Sequence, residues 1–311
     1  MKHNAEFHLS RRQVLAGAAV LAAAGPLSAF KSRITKASIS AITDEIGNTQ
    51  AEAIDFAHHY GLTCVELRNI PETKKEVAKM TEPEVKAVAV ELAAAKLEVT
   101  FLNTSLLKFN WPGLKPGAEV RPMDQKKWDS RKQDLETALR AANILGVDKV
   151  RVFTGARVEH PETTYKLIAQ TMEELLPMAE KAKVHLLIEN EYSQNIGDSA
   201  ESRDIMAMLP SKWIGLNWDP GNAQMVKGKP ETPFPDGYSL VPKDRILNIQ
   251  FKAQNTLDGQ YKMDWKAVLE ALEKDNYQHK LGLETHGDAA KRMEHAHASM
   301  EEMLRIVGSL S

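Results

Sequence analysis

Four segments in the second half of the chain each run through apolar, strand-forming residues and stop on a side chain that carries an oxygen: "VHLLIE" at Glu189, "WIGLNWD" at Asp219, "ILNIQ" at Gln250 and "KLGLE" at Glu284. The stops lie 30, 31 and 34 residues apart, close to the ~30 residues that one strand and its crossover helix consume. A feature recurring once per strand-helix unit predicts parallel strands, and in a closed barrel the carboxyl ends of such strands converge on one mouth. Three acids and an amide gathered there repel one another unless a cation lies between them. The amide oxygen is a neutral, hard donor, which favours Mn2+ or Mg2+ over Zn2+ as that cation. Glu189, Asp219, Gln250 and Glu284 are therefore the expected metal ligands.

The rest of the chain keeps the same rhythm. Strands are predicted over 34–42, 62–68, 97–103 and 148–154, and helices over 49–61, 82–96, 125–145, 161–181 and 288–307, with a Pro/Gly-containing insertion at 104–124. Eight such units read as a single α/β domain, a (β/α)8 TIM barrel, more readily than as an open sheet. An open doubly wound sheet would carry a glycine-rich phosphate turn after its first strand, and "AITDEIGN" offers none. The chain also lacks G-x-x-x-x-G-K-[ST], G-x-S-x-G and H-E-x-x-H, so nucleotide-dependent transfer and serine hydrolysis lose their usual support. A net charge of −2 and the absence of a basic, aromatic-studded cluster argue against nucleic acid as a partner. The single cysteine, Cys64, sits in "TCVEL" and is expected to be inert in the core, and no disulfide within the chain is possible.

The amino terminus reads as an address. Ser10-Arg11-Arg12-Gln13-Val14-Leu15 precedes "AGAAVLAAAG" and then "PLSA", which resembles a twin-arginine export signal with cleavage after Ala29. The apolar run is broken by Gly25-Pro26 and falls short of the ~20 residues a membrane span needs. The expected division is a signal peptide over 1–29 and a barrel over 30–311, in a periplasmic or extracytoplasmic protein with no stable membrane anchor after cleavage.

With these residues in hand, the chain resembles the sugar phosphate isomerase/epimerase family, the xylose isomerase-like TIM barrels. The resemblance rests on "VELR", "VRVFTG", Glu189, Asp219-x-x-Asn222, Gln250-x-Lys252 and Glu284-x-His286, and spans essentially all of the chain beyond the signal. It implies that a Glu, an Asp, a His and a Glu on successive strands hold Mn2+ or a similar ion, and that the two glutamates move protons. Glu189, Asp219 and Glu284 match three of those positions, Gln250 stands at the histidine position, and Asn222 stands where a substrate-contacting His often follows the Asp.

Such a site supports proton removal next to a carbonyl, with the resulting enediolate stabilised by the metal. Glu189 and Glu284 are the expected proton carriers, and His286 an acid or a structural histidine. Asn222, Lys252, Glu66 and Arg151 are candidate substrate contacts, the last three alternatively interior ion pairs. Trp111, with Phe109, Trp128 and Tyr192, either offers aromatic faces to a sugar or packs its own loop. The expected substrate is an unphosphorylated sugar, keto-sugar, glycoside or cyclitol. Isomerase or epimerase is the first reading, a lyase or hydratase of keto-glycosides on the same site the second, and an exported sugar-binding protein without catalysis the third. The oligomeric state stays open between a monomer and a homo-oligomer.

Overall fold

Alternating apolar strands and amphipathic helices place eight parallel strands in one sheet: β1 (Ile39–Ala41), β2 (Cys64–Leu67), β3 (Glu98–Leu102), β4 (Lys149–Val152), β5 (His185–Glu189), β6 (Ile214–Trp218), β7 (Ile246–Lys252) and β8 (Lys280–Glu284). The computed structural model describes residues 33–114, 124–257, 261–286 and 290–310. The predicted signal over 1–29 lies outside the described residues, as do the middle of the insertion and the predicted start of the last helix. The strand order is β1-β8-β7-β6-β5-β4-β3-β2, and a parallel bridge between Ile42 and Glu66 brings β1 back to β2, so the sheet curls into a nearly closed (β/α)8 barrel.

The longer helices are α1 (Gln50–His59), α2 (Glu82–Ala94), α3 (Gln125–Leu145), α4 (Tyr165–Ala182), α5 (Ser199–Met208), α6 (Trp265–Lys274) and α7 (Arg292–Gly308). Their limits follow local chemistry. Thr49 accepts a hydrogen bond from the Glu52 amide at the start of α1, Asp198 and Glu201 form a reciprocal capping box on α5, and Gly146 ends α3 at φ 71. Two predicted spans are shorter than expected. Lys36–Ser38 turn as a 3-10 helix before β1, and Pro161–Thr164 do the same before α4. Among the described residues no helix is long and apolar enough to cross a membrane.

The lumen is polar where barrels of this kind are usually filled with branched aliphatic residues. Glu66 on β2 accepts hydrogen bonds from Ser40 Oγ (2.9 Å), Asn103 Nδ2 (2.8 Å), Asn248 Nδ2 (3.1 Å) and Gln250 Nε2 (3.2 Å), which reach it from β1, the end of β3 and β7. Strands β2 and β7 are not neighbours in the sheet, so these bonds cross the interior. Burial raises the Glu66 carboxyl above its ordinary range, and the four donors pull against that rise. Room for this carboxylate comes from β8, where a Cβ on Gly282 would lie 2.1 Å from Glu66 Oε1. Gly282→Ala is therefore expected to lower stability by roughly 1–3 kcal/mol through overpacking. Urea unfolding checks it, and an unchanged midpoint would show that the lumen has slack.

Candidate active site

Above Glu66, at the carboxyl ends of the strands, the interior changes from amides to charges. Glu189, the last residue of β5, is 2% exposed, and its Oε2 accepts from Arg151 Nη1 at 2.9 Å and from Asn217 Nδ2 at 2.5 Å. Arg151 on β4 is itself fixed by a bond from Nε to the Thr104 carbonyl (3.1 Å). Both donors use the same glutamate oxygen, so Oε1 of Glu189 is needed by neither.

Asp219 follows β6 and caps the short helix Pro220–Gln224, accepting from the Asn222 amide (2.9 Å) and from Asn222 Nδ2 (2.8 Å). Its Oδ2 also lies 2.9 Å from Lys252 Nζ, and the same ammonium lies 2.7 Å from Glu284 Oε2. Lys252 ends β7 with its side chain 2% exposed, and the two carboxylates hold it protonated, well above the ordinary lysine range, against the cost of burial. Burial raises the Asp219 carboxyl to about 7, with Glu284 and Glu189 adding to the rise and Lys252 opposing it. Glu284 moves the other way. Burial pushes it up, but His286, Lys252 and Arg68 outweigh that push and hold it well below the usual carboxylate range.

His286 takes φ 26 just beyond β8, a backbone conformation uncommon outside glycine, and its Nε2 lies 3.0 Å from Glu284 Oε1. Glu284, together with bonds to Glu284 and Glu45, lifts its imidazole to about 9. On the other side of the imidazole is Glu45, which accepts from Thr285 Oγ1 (2.6 Å) and the His286 amide (3.0 Å). Arg68 pairs with Glu45, with Asp44 at 3.0 Å and, less closely, with Glu284 at 3.5 Å. Every carboxylate of the mouth thus touches a cation of the chain.

These groups border a cavity of ≈ 530 Å³ whose wall includes Arg68, Lys108, Arg151, Glu189, Asn222, Lys252, Glu284 and His286, with Phe153 and Tyr192 as its aromatic faces. Of the predicted site residues, Glu189, Glu284, His286, Asn222, Lys252 and Arg151 line this cavity. The others do not. Trp111 is fully buried, bonds the Leu107 carbonyl through Nε1 (3.1 Å) and packs on Trp128, so it serves its own loop and offers no face to a sugar. Glu66 lies beneath the mouth as the acceptor of the lumen network and is not a substrate contact. Asp219 is turned into its cap and toward Lys252. Gln250 points its amide nitrogen at Glu66, and its Oε1 is buried without a partner among the described residues.

The ligand set Glu189, Asp219, Gln250 and Glu284 does not fit a divalent ion in this arrangement, because an ammonium already spans Asp219 and Glu284 while Arg151 holds Glu189. A different group does have donors close together: one atom each of Glu45, Glu284 and His286, all within 4.8 Å of one another. Two carboxylates and an imidazole are divalent-metal donors by type, but here too resident cations stand in the way: Arg68 pairs with Glu45, Lys252 with Glu284, and the imidazole would have to give up its proton. Sequence reasoning missed Glu45, Arg68 and Lys108. Arg68 was within reach, since it ends "VELR" two residues after the inward-facing Glu66 and so shares its face.

Comparison with known proteins follows this geometry. A family profile described as "Xylose isomerase-like TIM barrel" matches residues 54–306. The chain belongs to the xylose isomerase-like TIM barrel family. By sequence, no curated protein matches it. Among solved structures, this xylose isomerase-like barrel is similar to 3-keto-D-glucoside 4-epimerase, YcjR, from E. coli (TM-score 0.62, 14% identity, 86% of this chain and 98% of that one). It is similar to an L-ribulose 3-epimerase (TM-score 0.60, 16% identity, 87% and 95%). A xylose isomerase-like protein from Mycobacterium smegmatis in complex with magnesium gives a TM-score of 0.64 at 14% identity, over 89% and 99%. At these identities the likeness is one of fold.

Removing one member of a buried ion pair leaves the other charge uncompensated, which costs roughly 3–5 kcal/mol. Arg151→Ala is expected to lose stability on that scale and Arg151→Lys less, by chemical denaturation. A loss below about 1 kcal/mol for the alanine variant, the level of an exposed pair, would mean that Glu189 finds water.

Proposed function

We propose that this protein is a sugar isomerase or epimerase that moves a proton on a carbon next to a carbonyl, with Glu189 as the base. The observation that carries this reading is a polar cavity with Glu189 on β5 at one wall and the Glu284–His286 pair, three strands further round the barrel, at another. The two walls are chemically unequal. Glu284 is held as an anion by three cationic side chains, which makes it a poor proton acceptor, while the His286 imidazolium beside it is a proton donor near neutral pH. Glu189 keeps one oxygen clear of its own Arg151 and Asn217 bonds. Proton removal by Glu189 and return from the His286 side would invert or relocate a centre. Arg151, Lys252 and Arg68 supply positive charge where the enediolate develops.

The resident cations also bear on substrate class. Arg68, Arg151 and Lys108 are each already paired with carboxylates, Lys108 with Glu191. No cationic clamp is left over for a phosphate among these residues, which favours an unphosphorylated sugar or keto-glycoside. Two barrels of similar fold are epimerases of such compounds by name. A divalent ion, as in the magnesium-bound relative, would draw on Glu45, Glu284 and a deprotonated His286, and the returning proton would then have to come from a group other than His286.

Incubation with a panel of free sugars and keto-glycosides in D2O tests the reading. Wild type should place deuterium next to a carbonyl, and Glu189→Gln should slow that exchange by about 10²–10⁴-fold, the usual worth of a general base. Ligand affinity should survive the substitution. A panel that binds without any exchange would favour a sugar-binding protein. We further propose export through the segment around Arg11-Arg12. Replacing both arginines with lysine should trap the full-length chain in the cytoplasm, as read by fractionation and amino-terminal sequencing, and an unchanged distribution would refute it.

A further inference from the structure

The gap between Asp219 and Glu284 is where the sequence pattern leads one to seek a divalent ion, and the structure fills it with Lys252. Three observations set the lysine apart from an ordinary interior ion pair. It bridges two carboxylates from the strands on either side, β6 and β8, with Nζ 2.9 and 2.7 Å from their oxygens. It is among the largest side chains with almost no exposure. It also borders the cavity, between the buried acids and the substrate space.

We propose that the Lys252 ammonium is the resident cation of the Asp219–Glu284 pair and does there what a divalent ion would otherwise do, so the mouth takes no divalent ion through Asp219. The chemistry follows from competition for carboxylate oxygens. A hard cation needs them at about 2.0–2.6 Å, and Nζ already donates to Glu284 Oε2 and forms an ion pair with Asp219 Oδ2 at 2.9 Å. Placing a dication beside an unmoved ammonium adds like-charge repulsion inside a site with little solvent to screen it. Charge balance points the same way. Arg151 and Lys252 pair directly with the carboxyls of Glu189, Asp219 and Glu284, while Arg68 and His286 flank Glu284. An ammonium at the cavity wall is, in addition, a hydrogen-bond donor for a developing oxyanion.

This inference concerns occupancy of the gap and holds whatever sugar the enzyme turns over. Metal binding reads it, whereas deuterium exchange reads the reaction. The test is a Mn2+ titration followed by thermal melting and by metal content after gel filtration, on wild type, Lys252→Gln, Asp219→Asn and the double variant. In wild type, Asp219→Asn should leave any Mn2+ response unaltered. Lys252→Gln, expressed with Mn2+ in the medium to supply the missing charge, should gain an Asp219-dependent Mn2+ site. At a hundredfold excess over Kd that site should raise Tm by about 5 °C or more, and the double variant should lose the gain. Wild type that holds Mn2+ in a manner abolished by Asp219→Asn overturns the proposal, and this arm stands even if Lys252→Gln folds poorly. A folded Lys252→Gln that gains no Asp219-dependent affinity for Mn2+ overturns it as well.

Discussion

Bringing like charges together at the end of a closed barrel is the constraint on which the rest of this structure depends. Glu189, Asp219 and Glu284 are each at most 2% exposed, and Glu45 is little more so. Carboxylates so placed must either take up protons or meet cations, since burial without compensation disfavours the charged form. The chain answers with cations of its own, and their placement follows strand geometry. Arg151 at β4 meets Glu189 on the adjacent β5, and Lys252 at the end of β7 meets an acid from each neighbouring strand. Asp219 shows what incomplete compensation looks like. Lys252 is shared with Glu284, and the aspartate rises toward neutrality while Glu284, with His286 as a further partner, falls.

The fold was legible because its signals are local. Strand and helix alternation, the cap at Thr49 and the stop at Gly146 all act within a few residues, and β5 and β8 end at the oxygen-bearing positions read from the sequence, β6 one residue before its own and β7 two residues past Gln250. Proximity of Glu189, Glu284, His286, Asn222, Lys252 and Arg151 was legible for the same reason, since strand-end residues of a barrel share a mouth whatever they do there. Direction was not. Whether Asp219 faces a ligand or its own cap, and whether the cation between the acids is a metal or a lysine, depends on contacts between residues 32 or 33 positions apart. Glu45 is the extreme case. It touches Thr285 and His286 some 240 residues away, and no pattern around "TDEIGN" announces that. Trp111 failed for the opposite reason, because a short loop can bury its own aromatic ring and satisfy the indole at Leu107 without help from a ligand.

Below the charged mouth, one carboxylate sets the orientation of a whole layer. Glu66 can only accept while it is ionised, so the amide groups of Asn103, Asn248 and Gln250 turn their nitrogens toward it. Their oxygens must then find donors elsewhere. Asn248 donates to both Glu66 and the Asn217 oxygen, and Asn217 in turn donates to Glu189, so a chain of hydrogen bonds runs from the lumen to the site. Asn103 Oδ1 and Gln250 Oε1 find no partner among the described residues. A buried amide oxygen left bare costs about 1–3 kcal/mol, and here two share one cause, the pull of four donors on a single acid. The same pull decides the role of Gln250. Its nitrogen is held by the carboxylate beneath it, and only its oxygen stays uncommitted among the described residues. Polarity in this barrel is therefore layered, with an acid at depth, amides around it and ion pairs at the rim. The lysine between Asp219 and Glu284 belongs to the same scheme, in which each layer supplies the counterpart that its buried acids require.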